Sequence, residues 1–389
     1  MQPFEFYMNT EVVFGAGAQK QTARLVRKHG GSRVLVVYGG GSCVRSGLLD
    51  RIGRQLTENG IVWEAFGGAK PNPRLSHAEE GVQKALDLKA DLILAIGGGS
   101  SIDTAKAIAI GAMAPGIGLW DFWLKKVPVE RSLPVGVVLT LPAAGSETSD
   151  SAVLTNEANL SKRGLSTDHN RPAFAVLDPE LAATLPGYQV ACGITDILMH
   201  TLDRYFNPVS TNELSDALAE AVLRVVLKNG TRVYEDPADL QAMSEIMWSG
   251  SVSHNGLTGL GGKKDFAVHQ LGHALSAKYD VAHGASLSAV WRAWAEEVAD
   301  ADGYARFAQF GRNVWGITEE DDAAAAVEAI DRQVAYFKSL DMPTGLKDLG
   351  DVDPELLADL CSYGKTRTIG SFKVLDHEAI LKIYQKANR

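Results

Sequence analysis

Cysteine is scarce in this chain: Cys43, Cys192 and Cys361 are odd in number and far apart among 389 residues. Neither a disulfide framework nor a cysteine zinc site can be drawn from them, which points to a reducing compartment. Long hydrophobic runs are lacking as well. The candidate stretch 105–119 is short of the length that spans a bilayer and is interrupted by glycine and proline, so no transmembrane helix is expected. The N-terminus, Met-Gln-Pro-Phe-Glu-Phe-Tyr, has no basic residue and carries Glu5 where a signal peptide would be apolar. These absences predict a cytoplasmic protein with no membrane partner. Positive charge is in deficit too: 38 Lys and Arg stand against 47 Asp and Glu, a net charge of −9. That balance argues against nucleic acid as a partner and leaves no basic patch for an anionic membrane. An apolar content of 46% and a charged content of 22% are those of an ordinary globular protein, and the length suits two or three domains with a large core.

The first half alternates strands and helices. Residues 12–14 form a short strand ended by Gly15-Ala-Gly17, and a helix follows over 19–28. The run Arg33-Val-Leu-Val-Val-Tyr38 is continuous and valine-rich, the pattern of a parallel strand buried on both faces. It stops at Gly39-Gly-Gly-Ser42. A helix over 48–59, a strand over 61–66, the turn Lys70-Pro-Asn-Pro73, a helix over 76–89 and a strand over 91–96 follow. Gly97-Gly-Gly-Ser-Ser-Ile-Asp103 then opens a helix from 104. Strands over 135–139 and 174–177 complete a doubly wound pattern, with a polar hairpin or loop over 156–172. Beyond Asp178-Pro179 helical periodicity replaces strands, over 188–206, 210–234, 238–255, 264–277, 286–300, 303–315, 319–340, 353–363 and 376–387. The expected organisation is an α/β Rossmann-like nucleotide-binding domain over 1–187 and an all-α domain over 188–389.

Two of those strands end in glycine-rich turns that open helices. Backbone N–H groups and the positive end of a helix dipole favour an anion there, so a pyrophosphate is the natural ligand. Neither turn is the strict Gly-x-Gly-x-x-Gly fingerprint, and either alone fits a plain tight turn. Two in one sheet favour a nucleotide. After Tyr38 come Gly39, Gly40, Gly41 and Ser42, with no acid to grip a ribose 2′-hydroxyl. An acid would repel a 2′-phosphate, and small neutral residues leave room for one, so NADP(H) is expected over NAD(H).

In the helical half, Asp196 and His200 lie four apart, as do His269 and His273, so each pair shares a helix face. His283 follows ten residues later, before Gly284. Each pair alone fits a solvated face or satisfied core side chains equally well. Together, Asp196, His200, His269 and His283 make a four-ligand set of one carboxylate and three imidazoles, suited to Fe(II), Zn(II) or Mn(II). The order His269-Gln-Leu-Gly-His273 is not the zinc-protease motif, which needs Glu where Gln270 stands.

The motifs Phe4-Glu-Phe-Tyr7, Val13-Phe-Gly-Ala-Gly17, Tyr38-Gly-Gly-Gly-Ser42, Pro71-Asn-Pro73, Gly97-Gly-Gly-Ser-Ser-Ile-Asp103 and Leu141-Pro-Ala-Ala-Gly-Ser-Glu147, with the histidine pattern above, carry a resemblance. Over essentially its full length the chain resembles the iron-containing (group III) alcohol dehydrogenases, within them the NADPH-dependent butanol dehydrogenase and aldehyde reductase branch. The resemblance implies a dehydroquinate synthase-like fold with the active site where the two domains meet. It implies metal ligation, Fe(II) or Zn(II), by Asp196, His200, His269 and His283, with His273 beside the metal as the catalytic proton-relay residue. It implies cofactor contacts at Gly39, Gly40, Gly41, Ser42, Asn72, Gly98, Gly99, Ser100, Asp103, Thr140 and Lys162. The implied activity is interconversion of primary, butanol-like alcohols and aldehydes, by a homodimer. A polyol dehydrogenase on the same scaffold and a metal- and nucleotide-binding regulator are the alternatives. A lyase of the dehydroquinate-synthase kind would need a basic cluster for a phosphorylated acid, and none stands near the metal motifs. Two departures stand out: Ala144 replaces a frequent Thr, and Val290-Trp-Arg-Ala-Trp294 runs on where a Pro is common. Were Trp291 or Trp294 to face the substrate, preferences implied by the family would not carry over.

Overall fold

A computed structural model describes residues 1–208, 212–300 and 303–388. The chain divides into two compact units, one of Tyr7–Thr184 and one of Leu185–Arg389 with Met1–Phe6.

The first unit is built on strands β1 (Glu11–Phe14), β2 (Arg33–Tyr38), β3 (Val62–Phe66), β4 (Leu92–Gly97), β5 (Val135–Leu139), β6 (Ser151–Asn156), β7 (Ser161–Ser166) and β8 (Phe174–Leu177). Helices α1 (Thr22–Lys28), α2 (Ser42–Arg45), α3 (Leu48–Glu58), α4 (Leu75–Leu88), α5 (Gly99–Ala112) and α6 (Leu119–Trp123) connect them. Six strands form one parallel sheet in the order β1-β8-β5-β4-β2-β3. The central strands are buried along nearly their whole length, which is why they read as near-continuous apolar runs rich in Val, Leu and Ile. Gly136 on β5 faces Phe174 on β8, and a Cβ there would meet the Phe174 ring at 2.2 Å. The ring fills the space that a side chain would take.

The segment read as a polar hairpin or loop is a hairpin, β6 pairing antiparallel with β7, and it starts five residues earlier than 156. Ala152, Leu154 and Leu165 turn inward to pack with Phe122 and Trp123, and the alternating polar residues between them hid that face. Helices α2 and α6 were not foreseen; at four and five residues they are too short to show a period.

The second unit is helical: α7 (Gly187–Tyr205), α8 (Glu213–Glu235), α9 (Leu240–His254), α10 (Ala267–Tyr279), α11 (His283–Val298), α12 (Tyr304–Trp315), α13 (Asp322–Ser339), α14 (Pro354–Cys361) and α15 (His377–Ala387). Of the helix expected from 210, residues 210 and 211 lie outside the described residues, as does residue 389 of the helical domain. α7 is buried almost all round from Val190 onward, the mark of a central helix. Among the side chains buried with it are Thr195, Asp196, His200, Thr201, Asp203 and Arg204. Polar groups in such a place need partners, and they point to where the chemistry of this unit sits. No helix of the described residues is long and apolar enough to cross a membrane.

Candidate functional site

The strand order puts the reversal of winding between β2 and β4, which are direct neighbours with Tyr38 beside Ile96. The glycine turns that follow these strands therefore lie side by side at the carboxyl edge of the sheet, where doubly wound folds bind nucleotides. A Cβ on Gly39 would lie 3.3 Å from the Ser101 hydroxyl and 3.2 Å from the Ala69 carbonyl oxygen, which packs the two turns and the segment before Asn72 together. Gly40 and Gly99 face open space, with nothing within 4 Å of a Cβ. α5 opens at Gly99 with Gly98 as its N-cap, so its first N–H groups have no partner within the helix.

Other residues read as cofactor contacts surround this edge. Asn72 is buried in a left-handed conformation (φ 57°) and accepts a hydrogen bond from Lys162 Nζ at 2.9 Å. Thr140 donates its N–H to the Gly97 carbonyl at 3.1 Å. Ser100 lies in the first turn of α5, and Ser42 opens α2 after Gly41. Asp103 is engaged by the protein itself: one carboxylate oxygen accepts the Ser146 hydroxyl at 2.5 Å and the other the Val153 N–H at 2.9 Å. Burial pushes its carboxyl up, against the pull of Lys106 and the Ser146 and Val153 hydrogen bonds. Sequence reasoning missed Lys106, one turn along on α5, and Arg45, whose guanidinium lies 2.9 Å from where a Gly41 Cβ would stand.

In the second unit, Asp196 and His200 come from α7, His269 from α10 and His283 from the first turn of α11. One donor atom from each lies within 4.8 Å of all the others. Asp196 Oδ1 is 3.5 Å from His200 Nε2, 3.9 Å from His269 Nε2 and 3.7 Å from His283 Nε2, and the His200 and His269 Nε2 atoms are 3.3 Å apart. Ligands at about 2.1 Å from a common centre stand ~3.4 Å apart at the corners of a tetrahedron, so these spacings fit a four-coordinate cation. Three imidazoles converging on a buried carboxylate oxygen are otherwise a poor use of lone pairs. Burial, then the neighbouring His254, His269 and Arg204, hold the His200 imidazole well below its usual range, in the neutral form that ligates.

His273, one turn beyond His269 on α10, is buried with its ring 5.5 Å from that of His283. His254 stacks on His200 with ring centroids 4.1 Å apart; no spacing in the sequence links it to the site. Asp203, whose carboxylate faces His269 Nδ1, also escaped notice, although its place seven residues after Asp196 on the same helix face was there to be read. Trp291 and Trp294 are core residues, packed edge-on against Phe337 and Phe206 respectively. The missing proline thus leads to a hydrophobic seam.

Residues 9–179 match the family described as iron-containing alcohol dehydrogenase, and residues 190–388 match the C-terminal part of the same family. The chain belongs to the iron-containing alcohol dehydrogenases. It is an oxidoreductase of alcohols and aldehydes. It is 38% identical over the full length of both chains to the NADH-dependent butanol dehydrogenase A of Clostridium acetobutylicum. It is 33% identical, again over both full lengths, to the NADPH-dependent aldehyde reductase YqhD of Escherichia coli. Among solved structures, the NADH-dependent butanol dehydrogenase A of Thermotoga maritima superposes with a TM-score of 0.96, covering 100% of this chain and 99% of that one at 33% identity. Among the described residues, the buried Asp196, His200 and His269 and the half-buried His283 form a group that could hold a divalent metal, as suits this iron-containing family.

Proposed function

We propose that this chain interconverts short primary alcohols and aldehydes using NADP(H) and one divalent metal, Fe(II) or Zn(II). The observation that carries the reading is the buried carboxylate oxygen with three imidazole Nε2 atoms around it at 3.5–3.9 Å. A cation held there supplies Lewis acidity toward a carbonyl or alcohol oxygen, and a nicotinamide supplies or accepts the hydride. The protein's part is to hold and to move protons. Asp196 offsets one charge of the cation, and burial keeps His200 neutral. His273 lies beside His283 and takes the proton released on alcohol oxidation, returning it on aldehyde reduction. The glycine turns, the first turn of α5, Asn72 and Lys162 bind the dinucleotide.

The named relatives divide between NADH and NADPH. What supports NADP(H) here is the turn Gly39-Gly40-Gly41-Ser42, free of acidic residues, with the Arg45 guanidinium beside Gly41. A cation without a competing carboxylate suits a 2′-phosphate.

The test follows loss of reduced-nicotinamide absorbance with butyraldehyde, using NADPH and NADH, before and after chelation. The reading expects oxidation that prefers NADPH, stops on chelation and returns with Fe(II) or Zn(II). Faster turnover with NADH would overturn the cofactor assignment alone. Tight binding of both metal and nucleotide with no turnover of any short aldehyde, alcohol or diol would point to a regulator instead.

A further inference from the structure

Asp203 stands on α7 three residues after His200 and seven after Asp196, and it is 1% exposed. A buried carboxylate is costly unless its oxygens are used. Here Oδ2 lies 2.5 Å from His269 Nδ1 and 3.4 Å from the His269 backbone nitrogen, and the Asp203 carbonyl oxygen accepts the Asp265 N–H at 2.8 Å. The first turn of α10 and the segment leading into it are thus tied to one residue of α7 at three points, two through His269 and one through Asp265. An ionised carboxylate can only accept a hydrogen bond, so the proton of a neutral His269 is kept on Nδ1. Its lone pair is left on Nε2, the atom 3.3 Å from His200 Nε2 and 3.9 Å from Asp196 Oδ1.

We infer that Asp203 is a positioning residue for the metal site, fixing the tautomer and orientation of His269 before any metal arrives. The inference rests on the metal reading of the four-residue cluster. A histidine that must first change tautomer binds a cation more weakly, and partners of this kind typically contribute 10–100-fold to metal affinity.

The experiment compares wild type with Asp203→Asn, each stripped of metal and titrated with Zn(II) against a chromophoric chelator of known affinity. The variant keeps the shape of the side chain, but its amide can donate to Nδ1 and so favour the tautomer whose Nε2 carries the proton. A dissociation constant 10–100-fold larger in Asp203→Asn is expected, and equal constants would overturn the inference. Failure of the wild type to take up Zn(II) would instead overturn the metal reading itself. A second measurement needs no variant: in metal-free wild type, the imidazole ¹⁵N shifts of His269 should report a protonated Nδ1, and a protonated Nε2 refutes the role of Asp203 even if the variant does not fold.

Discussion

The Lys106 ammonium donates to the Ser146 carbonyl oxygen at 2.7 Å, joining α5 to the segment after β5 across forty residues of sequence. It also reaches the carbonyl oxygens of Ser149 at 3.2 Å and Ser151 at 2.7 Å. Burial pushes its pKa down to about 8, against the opposing pull of Asp103, Glu147 and Asp150. Replacing it with Met would leave those carbonyls without their donor and remove a charge that offsets Asp103. Lys106→Met should therefore lower the stability of the first unit by about 3 kcal/mol, in the range for breaking a buried charged contact. Urea unfolding monitored by tryptophan fluorescence measures it, and a loss below ~1 kcal/mol would mean that the ammonium contributes little net stability.

Gly99 offers the opposite case. A Cβ there meets nothing within 4 Å, and the residue opens α5, where Ala is well tolerated. Gly99→Ala should leave the unfolding midpoint within about 0.5 kcal/mol of wild type. The new methyl would stand where a pyrophosphate has to approach the backbone. Calorimetric titration with NADPH should then show at least tenfold weaker binding. Unchanged affinity would move the pyrophosphate away from this turn.

Much of this was legible in the chain itself. The runs at β2 and β4 read as buried parallel strands because helices cover both faces and every position needs an apolar side chain. The spacing of four between Asp196 and His200 brings both onto one helix face, and the pair His269 and His283 completed the set by residue type. What could not be read depends on contacts between distant segments. That the turns after Tyr38 and Ile96 are neighbours follows from strand order, which no local pattern encodes. In the sequence Lys106 is a single positive charge in a largely apolar helix, and only the Ser146–Ser151 segment folded over it gives its ammonium partners. Trp291 and Trp294 could equally have faced a substrate, and only the packing of Phe337 and Phe206 against them decided otherwise.

Gly284 allows two helices to touch backbone to backbone. A Cβ at this position would lie 2.3 Å from the Cys192 carbonyl oxygen and 2.7 Å from Cys192 Cα, and no side-chain rotation relieves either contact. Gly284→Ala must push α11 away from α7. His283 precedes the glycine, and Asp196 lies one turn past Cys192, so the displacement falls on the proposed metal cluster of Asp196, His200, His269 and His283. The expected cost is about 2–3 kcal/mol, as for overpacking, with metal content per chain falling well below that of wild type by elemental analysis. Full metal content together with unchanged stability would sink the argument.

Asp265 should make stability depend on pH with an unusual sign. Its side chain accepts N–H groups of Ser371 at 2.6 Å, Phe372 at 2.8 Å and Ala267 at 3.1 Å, yet burial and then the nearby Asp203 push its pKa up from 3.8 to about 6. A carboxyl whose pKa is raised by folding holds its proton more tightly in the native state. Its contribution is fully present below the unfolded value and is lost as pH rises through the folded one. Asp265→Asn cannot titrate and gives the reference. The stability of wild type relative to this variant should fall by about 1 kcal/mol between pH 5 and pH 7. Urea unfolding of both proteins at these two pH values measures the difference directly, and a difference that stays flat would mean that the buried carboxyl ionises at its ordinary pH.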